Sequence, residues 1–138
     1  MPQRDLFHAT VVEALHHDGW TITHDPLELA FGDRKVFADL GAERPIGAER
    51  SEEKIAVEVK SFIGKSDVHE LELAIGQYNL HRAILKRTEP ARILFLAIPN
   101  FAYEGVFSEP IGQLMIEEEQ LFLIVFNDQE RSIVKWIK

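Results

Sequence analysis

The chain has 138 residues, 46% of them hydrophobic, which suits one ordinary domain with enough apolar side chains for a core. Charged residues make up 28%, the net charge is −8 and cysteine is absent, so disorder, disulfides, thiolate metal sites and cysteine nucleophiles are excluded and a reducing cytosol is expected. No apolar run reaches the ~18 residues of a membrane span, and Met1 to Phe7 lacks the apolar stretch of a signal peptide.

Phe7, Val11, Val12, Ala14 and Leu15 keep a helical spacing, which predicts a first helix from Arg4 to Asp18, ended by Asp18-Gly19. Trp20 to Thr23 alternates as a short strand, broken by Asp25-Pro26. Arg34 to Leu40 and Lys54 to Lys60 read as two strands of a long-looped hairpin, joined by a polar segment with Glu43, Arg44, Pro45, Gly47 and Glu49. Asp67 and Glu70 form a capping box for the longest helix, whose stripe of Leu71, Ala74, Ile75, Tyr78, Leu80 and Leu85 runs to Lys86. Ile93 to Ile98, stopped by Pro99, is apolar on both faces and belongs mid-sheet. Short helices Phe101 to Phe107 and Ile111 to Gln120 flank Glu109-Pro110, and strands Leu121 to Phe126 and Ser132 to Ile137 turn at Asn127-Asp128. The order α-β-β-β-α-β-α-β-β predicts an α/β fold, a mixed sheet flanked by helices, in a single domain over residues 1–138.

Side chains alternate along a strand, so Glu58 and Lys60 share the face opposite Ile55, Val57 and Val59. Phe37 and Asp39 share a face of the preceding strand, and a suitable register sets Asp39 beside Glu58. Carboxylates held close repel and raise each other's proton affinity unless a cation intervenes; oxygen ligands select Mg²⁺ or Mn²⁺. Such an ion activates water and stabilises charge on a phosphate, with the Lys60 ammonium as a further point charge. Phosphodiester hydrolysis is the implied reaction, with Asp39 and Glu58 as metal ligands. As plain cross-strand ion pairs, the same residues would each be worth only ~0.2–1 kcal/mol.

A helix, a strand, an Asp strand, an E-x-K strand, a long helix carrying Gln77 and a buried strand together resemble the core of the PD-(D/E)XK, or restriction-endonuclease-like, nucleases. The resemblance makes Asp39 the motif aspartate, Glu58 the second metal ligand, Lys60 the catalytic lysine and Gln77 the helix glutamine. Ala38 stands where proline is usual, His81 where the Q-x-x-x-Y motif has tyrosine, and Ala9 and Thr10 near the place of a first-helix glutamate, with Asp5, His8 and Glu13 the nearest polar candidates. Over nearly the whole chain, Arg4-Asp5-Leu6-Phe7-His8, Asp18-Gly19-Trp20-Thr21-Ile22-Thr23, Ala38-Asp39-Leu40-Gly41-Ala42-Glu43, Lys54 to Phe62, Ile75-Gly76-Gln77-Tyr78 and Glu109 to Leu114 resemble the XisH family of fdxN element excision controlling factors. That resemblance implies a cyanobacterial DNA-rearrangement context, with DNA, an XisI-type protein and a site-specific recombinase as partners. Two readings stay open: a Mg²⁺-dependent endonuclease, and a catalytically silent nuclease fold that works as a protein-interaction module.

His8 and His81 are accessory candidates, and His16 and His17, adjacent on a helix, are expected to face solvent. Arg82, Lys86 and Arg87 are candidate phosphate contacts that equally complement the C-terminal dipole of their helix. From Ile93 to Glu130 there is no Lys or Arg, and this acidic segment is expected to be solvated or to meet a basic protein. The sheet edge after Ser132 offers a homodimer contact. Isolated glycines exclude a phosphate-cradling loop.

Overall fold

The computed structural model describes residues 4–46 and 51–138. Helix α1 (His8–His17) is followed by strands β1 (Thr21–His24), β2 (Leu27–Phe31), β3 (Arg34–Ala38), β4 (Leu40–Ile46) and β5 (Ser51–Val59). Then come α2 (Asp67–Thr88), β6 (Arg92–Pro99), α3 (Asn100–Glu104), a 3₁₀ turn (Val106–Ser108), α4 (Pro110–Glu118), β7 (Leu123–Asn127) and β8 (Ser132–Ile137). The expected mixed sheet flanked by helices is present. Six strands run in the order β1-β4-β5-β6-β7-β8, with β5-β6 and β6-β7 parallel and the other pairs antiparallel, while β2 and β3 form a separate hairpin.

The parallel strands are central because they are apolar on both faces. Ala56, Leu94, Leu96 and Ile98 pack on one side beneath α2, α3, α4 and the β2–β3 hairpin. Ile55, Val57, Val59, Phe95 and Ala97 pack on the other beneath α1, Trp20 and Trp136.

The hairpin departs from the expected layout. Leu27-Glu28-Leu29-Ala30 alternates buried and exposed, and this strand, missing from the sequence reading, is the partner of β3. Gly32, at φ +60, supplies the left-handed residue of its tip. Arg34 to Leu40 is therefore not one strand: the chain leaves the hairpin at Ala38 and enters the main sheet at Leu40, with Asp39 alone at the joint. The strand paired with β5 is β4, from Leu40↔Val57 to Ile46↔Ser51. Glu43, Arg44 and Pro45 thus lie in a strand rather than a loop, while Gly47 and Glu49 fall outside the described residues. Pro45 fits because β1 pairs with β4 only over Gly41 to Glu43, leaving the proline beyond its reach.

Helix α1 starts at His8 rather than Arg4, because Asp5 accepts the Phe7 N–H at 2.9 Å before the helix begins. The long helix is capped by Ser66, whose hydroxyl accepts the His69 N–H at 3.2 Å, rather than by Asp67. Leu80, expected on its apolar stripe, is exposed. Tyr78, buried under α2, donates its hydroxyl to the Leu94 carbonyl (3.3 Å) and accepts the Phe122 N–H (3.1 Å). It bridges β6 and the approach to β7 before those strands begin to pair at Leu96↔Leu123.

Candidate active site

At the C-terminal end of β5, the β4–β5 register, continued one step past Leu40↔Val57, sets Asp39 opposite Glu58. The joint is fixed by backbone: the Val59 N–H donates to Asp39 Oδ2 at 2.7 Å. The Lys60 N–H donates to the Ala97 carbonyl at 3.0 Å, extending the β5–β6 ladder by one residue before Phe62, at φ 56, turns the chain away. A cavity of about 140 Å³ at this place is lined by Asp5, Phe37, Asp39, Glu58, Val59, Lys60 and Gln77. Asp39, Glu58, Lys60 and Gln77, picked out from the sequence, are thus brought together, Gln77 reaching the cavity from an exposed turn of α2.

Asp5 is the addition. It was one of several polar candidates near the first helix, and its position follows from two hydrogen bonds: Oδ1 accepts the Phe7 N–H, and Oδ2 accepts the Ser61 N–H at 3.0 Å. A short acid just ahead of a helix is the visible sign of such a role. Glu13 is elsewhere, paired with Arg131 at 2.9 Å.

His8 is buried rather than exposed; its Nε2 is 2.8 Å from Asp25 Oδ1, and its Nδ1 is buried without a hydrogen-bond partner. His81 is buried too, and its Nδ1 meets Glu58 Oε1. This pairing explains how a carboxylate only 5% exposed sits beneath α2.

Burial pushes the Asp39 carboxyl above the ordinary carboxylate range, with Asp5 adding to the rise, while the Val59 N–H, His8 and Lys60 pull it back. Glu58 is likewise raised by burial and by Asp39, against the hydrogen bond and charge of His81 and the charge of Lys60. Both acids therefore hold protons more tightly than in water, and a cation among them would relieve the site.

The donors suit a hard divalent ion. Asp39 Oδ1 and Glu58 Oε2 are oxygen atoms without a hydrogen bond among the described residues. No group of three or more His, Asp or Glu side chains among the described residues is arranged to enclose a metal. A pair of carboxylates with open positions is the arrangement Mg²⁺ tolerates, since it keeps several waters and takes further ligands from a substrate phosphate.

The proposed phosphate contacts lie elsewhere. Arg82 and Lys86 line a second cavity beside Arg92, which pairs with Lys54, four residues before Glu58 and so ~13 Å away along the strand. Arg87 borders an apolar groove with Phe31, Leu80 and Ile84. His16 and His17 are exposed, as expected. No helix among the described residues is long and apolar enough to cross a membrane.

Residues 1–134 match the family model described as XisH protein. The chain belongs to the XisH family. A crystal structure of an XisH family protein from Nostoc punctiforme PCC 73102 is similar to this XisH family member at 38% identity and a TM-score of 0.88, over 97% of this chain and 100% of that one. A crystal structure of an fdxN element excision controlling factor protein from Anabaena variabilis is similar at 38% identity and a TM-score of 0.87, over 98% of this chain and 100% of that one. No curated protein matches.

Proposed function

We propose that this XisH family member controls excision of a DNA element, and that Asp39, Glu58 and Lys60 form a divalent-metal site for phosphodiester hydrolysis within a restriction-endonuclease-like core. The excision role rests on the 38%-identical fdxN element excision controlling factor that aligns over 98% of the chain. The hydrolytic role rests on a single observation: side chains remote in sequence share one cavity at the end of β5. Asp39 and Glu58 would hold Mg²⁺ or Mn²⁺, which would supply Lewis acidity at the phosphate. Lys60, half-buried beside them, places its ammonium where negative charge accumulates on the phosphorus substituents. Gln77 offers an amide for orienting water or a phosphate oxygen. Val59 holds the Asp39 carboxylate in place through its N–H, which orients Oδ1 as a donor.

A second reading has its own support. One oxygen of each acid is already engaged, Oδ2 of Asp39 by Val59 and Oε1 of Glu58 by His81, and the chain carries a net charge of −8. A silent nuclease fold that meets an XisI-type partner and recombinase machinery is consistent with both facts.

The test is incubation of the purified protein with labelled linear, single-stranded and branched DNA in Mg²⁺ or Mn²⁺. The controls are Lys60→Ala and Asp39→Asn, the latter keeping an acceptor for the Val59 N–H. Metal-dependent cleavage lost in both variants supports hydrolysis. Absence of cleavage, together with no rise in the unfolding midpoint on adding metal, hands the function to the interaction module.

A further inference from the structure

The second cavity, about 250 Å³, opens where β6 and the chain entering β7 have not yet paired. Tyr78 props the strands apart: its hydroxyl stands between the Leu94 carbonyl and the Phe122 N–H, where a ladder bond would otherwise close the gap. The walls are apolar, from Leu85, Leu94 and Phe122, and the rim is cationic, from Arg82 and Lys86. In a chain with a net charge of −8, this concave apolar surface carries cations at its rim, of which Lys86 has no acidic partner among the described residues.

Its cations are not equally committed. Arg92 is held by Glu89 (2.8 Å) and the Ile55 carbonyl (3.0 Å). Arg82 gives Nη1 to the Glu119 carbonyl (2.7 Å) and Nη2 to Asn79 (2.8 Å), pairs with the Glu119 carboxylate at 4.0 Å, and lies with its guanidinium 5.0 Å from the centre of the Tyr78 ring. Lys86 is exposed and makes no ion pair among the described residues.

Gln120 is the independent observation. It holds a left-handed backbone (φ 49) just past the C-terminus of α4, where glycine would sit without steric cost. Its side chain, exposed to solvent, lines the cavity and makes no hydrogen bond among the described residues.

We propose that this cavity binds an organic monophosphate with a flat aromatic body, the chemistry shared by a free mononucleotide and the 5′-terminal nucleotide of a strand. The body lies against Leu94 and Phe122, the phosphate meets the Lys86 ammonium, and the Gln120 amide meets the polar edge of the ring. At about 250 Å³ the cavity is of the size of one base, below the ~300–1,000 Å³ of drug-sized sites. The cavity shares no lining residue with the proposed hydrolytic site, lies from ~7 Å (Leu94) to ~13 Å (Arg92) from Glu58 along the strand, and does not depend on it.

Calorimetry at low salt tests this with AMP, inorganic phosphate, and one oligonucleotide carrying either a 5′-phosphate or a 5′-hydroxyl. AMP should bind at least tenfold more tightly than inorganic phosphate. Lys86→Glu, an exposed change that leaves the core intact, should weaken AMP about tenfold or more, as loss of one charge-assisted contact does. Gln120→Gly should raise the unfolding midpoint while weakening AMP, a combination that a purely structural glutamine would not give. Oligonucleotide binding that requires the 5′-phosphate assigns the ligand to a strand end, and binding of AMP alone assigns it to a free nucleotide; both support the site. Equal affinity for AMP and inorganic phosphate, AMP binding unchanged in both variants, or no binding at all overturns it.

Discussion

Replacing Tyr78 by phenylalanine removes one oxygen atom from a side chain that is 1% exposed, so its effect can be worked out from the groups left behind. The Phe122 N–H has no other hydrogen-bond partner among the described residues, and the Leu94 carbonyl loses a donor at the same time. A neutral hydrogen bond contributes ~1 kcal/mol net and an unpaired buried amide costs ~1–3 kcal/mol more. The distances here, 3.1 and 3.3 Å, are long for hydroxyl bonds, so the lower part of that range applies and ~2 kcal/mol is expected. With an unfolding entropy of ~2.1 cal/mol/K per residue over 138 residues, the midpoint should fall by ~7 °C. Thermal unfolding followed by tryptophan fluorescence is the assay, with urea denaturation in parallel. Trp136 is a suitable reporter because its ring is 5.0 Å from that of Phe95, which in turn is 5.7 Å from Phe122. The denaturant slope should not change. A midpoint shift under ~2 °C would refute the reasoning, for it would mean that water takes the place of the hydroxyl and that the strands are not held apart by Tyr78.

The raised proton affinities of Asp39 and Glu58 carry a definite sign: their folded pKa values lie above the unfolded ones, so they favour the folded state below the ordinary carboxylate range, and that contribution is lost as pH rises through the raised values. Glu58→Gln should therefore gain stability relative to the parent chain between acid and neutral pH, and chemical denaturation across that window reads the crossover; a constant difference would contradict it. Mg²⁺ should raise the unfolding midpoint of the parent chain more at neutral than at acid pH, since protons compete for the same oxygens, which a thermal-shift series checks. Gly112→Ala drives a methyl group into the Val106 carbonyl oxygen and the Phe107 Cα, both backbone, and should cost ~3 kcal/mol or more by denaturation. Ser66→Ala leaves the His69 N–H without its cap and should cost ~1 kcal/mol by the same measurement.

The parts of this fold that were legible in the sequence are those where one local signal sufficed. Ile93 to Ile98 announced a covered central strand because no polar residue interrupts it, and Ser132 to Ile137 was bounded by its turn. The E-x-K alternation fixed the face shared by Glu58 and Lys60 without reference to anything distant. What failed depended on partners. Leu27 to Phe31 carries a clear period of two, but a strand so short gains definition only from its pairing with β3, and the Asp25-Pro26 break drew attention away from it. Asp39 stands opposite Glu58 although β3 ends at Ala38, because the β4–β5 register, entered at Leu40, carries the pairing one step back to it. His81, an accessory candidate for the site, meets Glu58, and the burial of His8 follows from Asp25; these acids lie 23 and 17 residues away and leave no local trace. Arg82 and Lys86 belonged to a basic stretch, but only the direction of α2 reveals that the stretch lies at the far end of the sheet from the acids.

The single residue between hairpin and sheet has a consequence for how such chains can diverge. Strands β2 and β3 pair only with each other, and their tip at Gly32-Asp33 is exposed, so extra residues there lengthen the hairpin and leave the acids where they are. One residue inserted between Ala38 and Leu40 would shift the pleat by half its period and turn the carboxylate of Asp39 toward α1. Length variation among related chains should therefore gather at the tip and spare the joint.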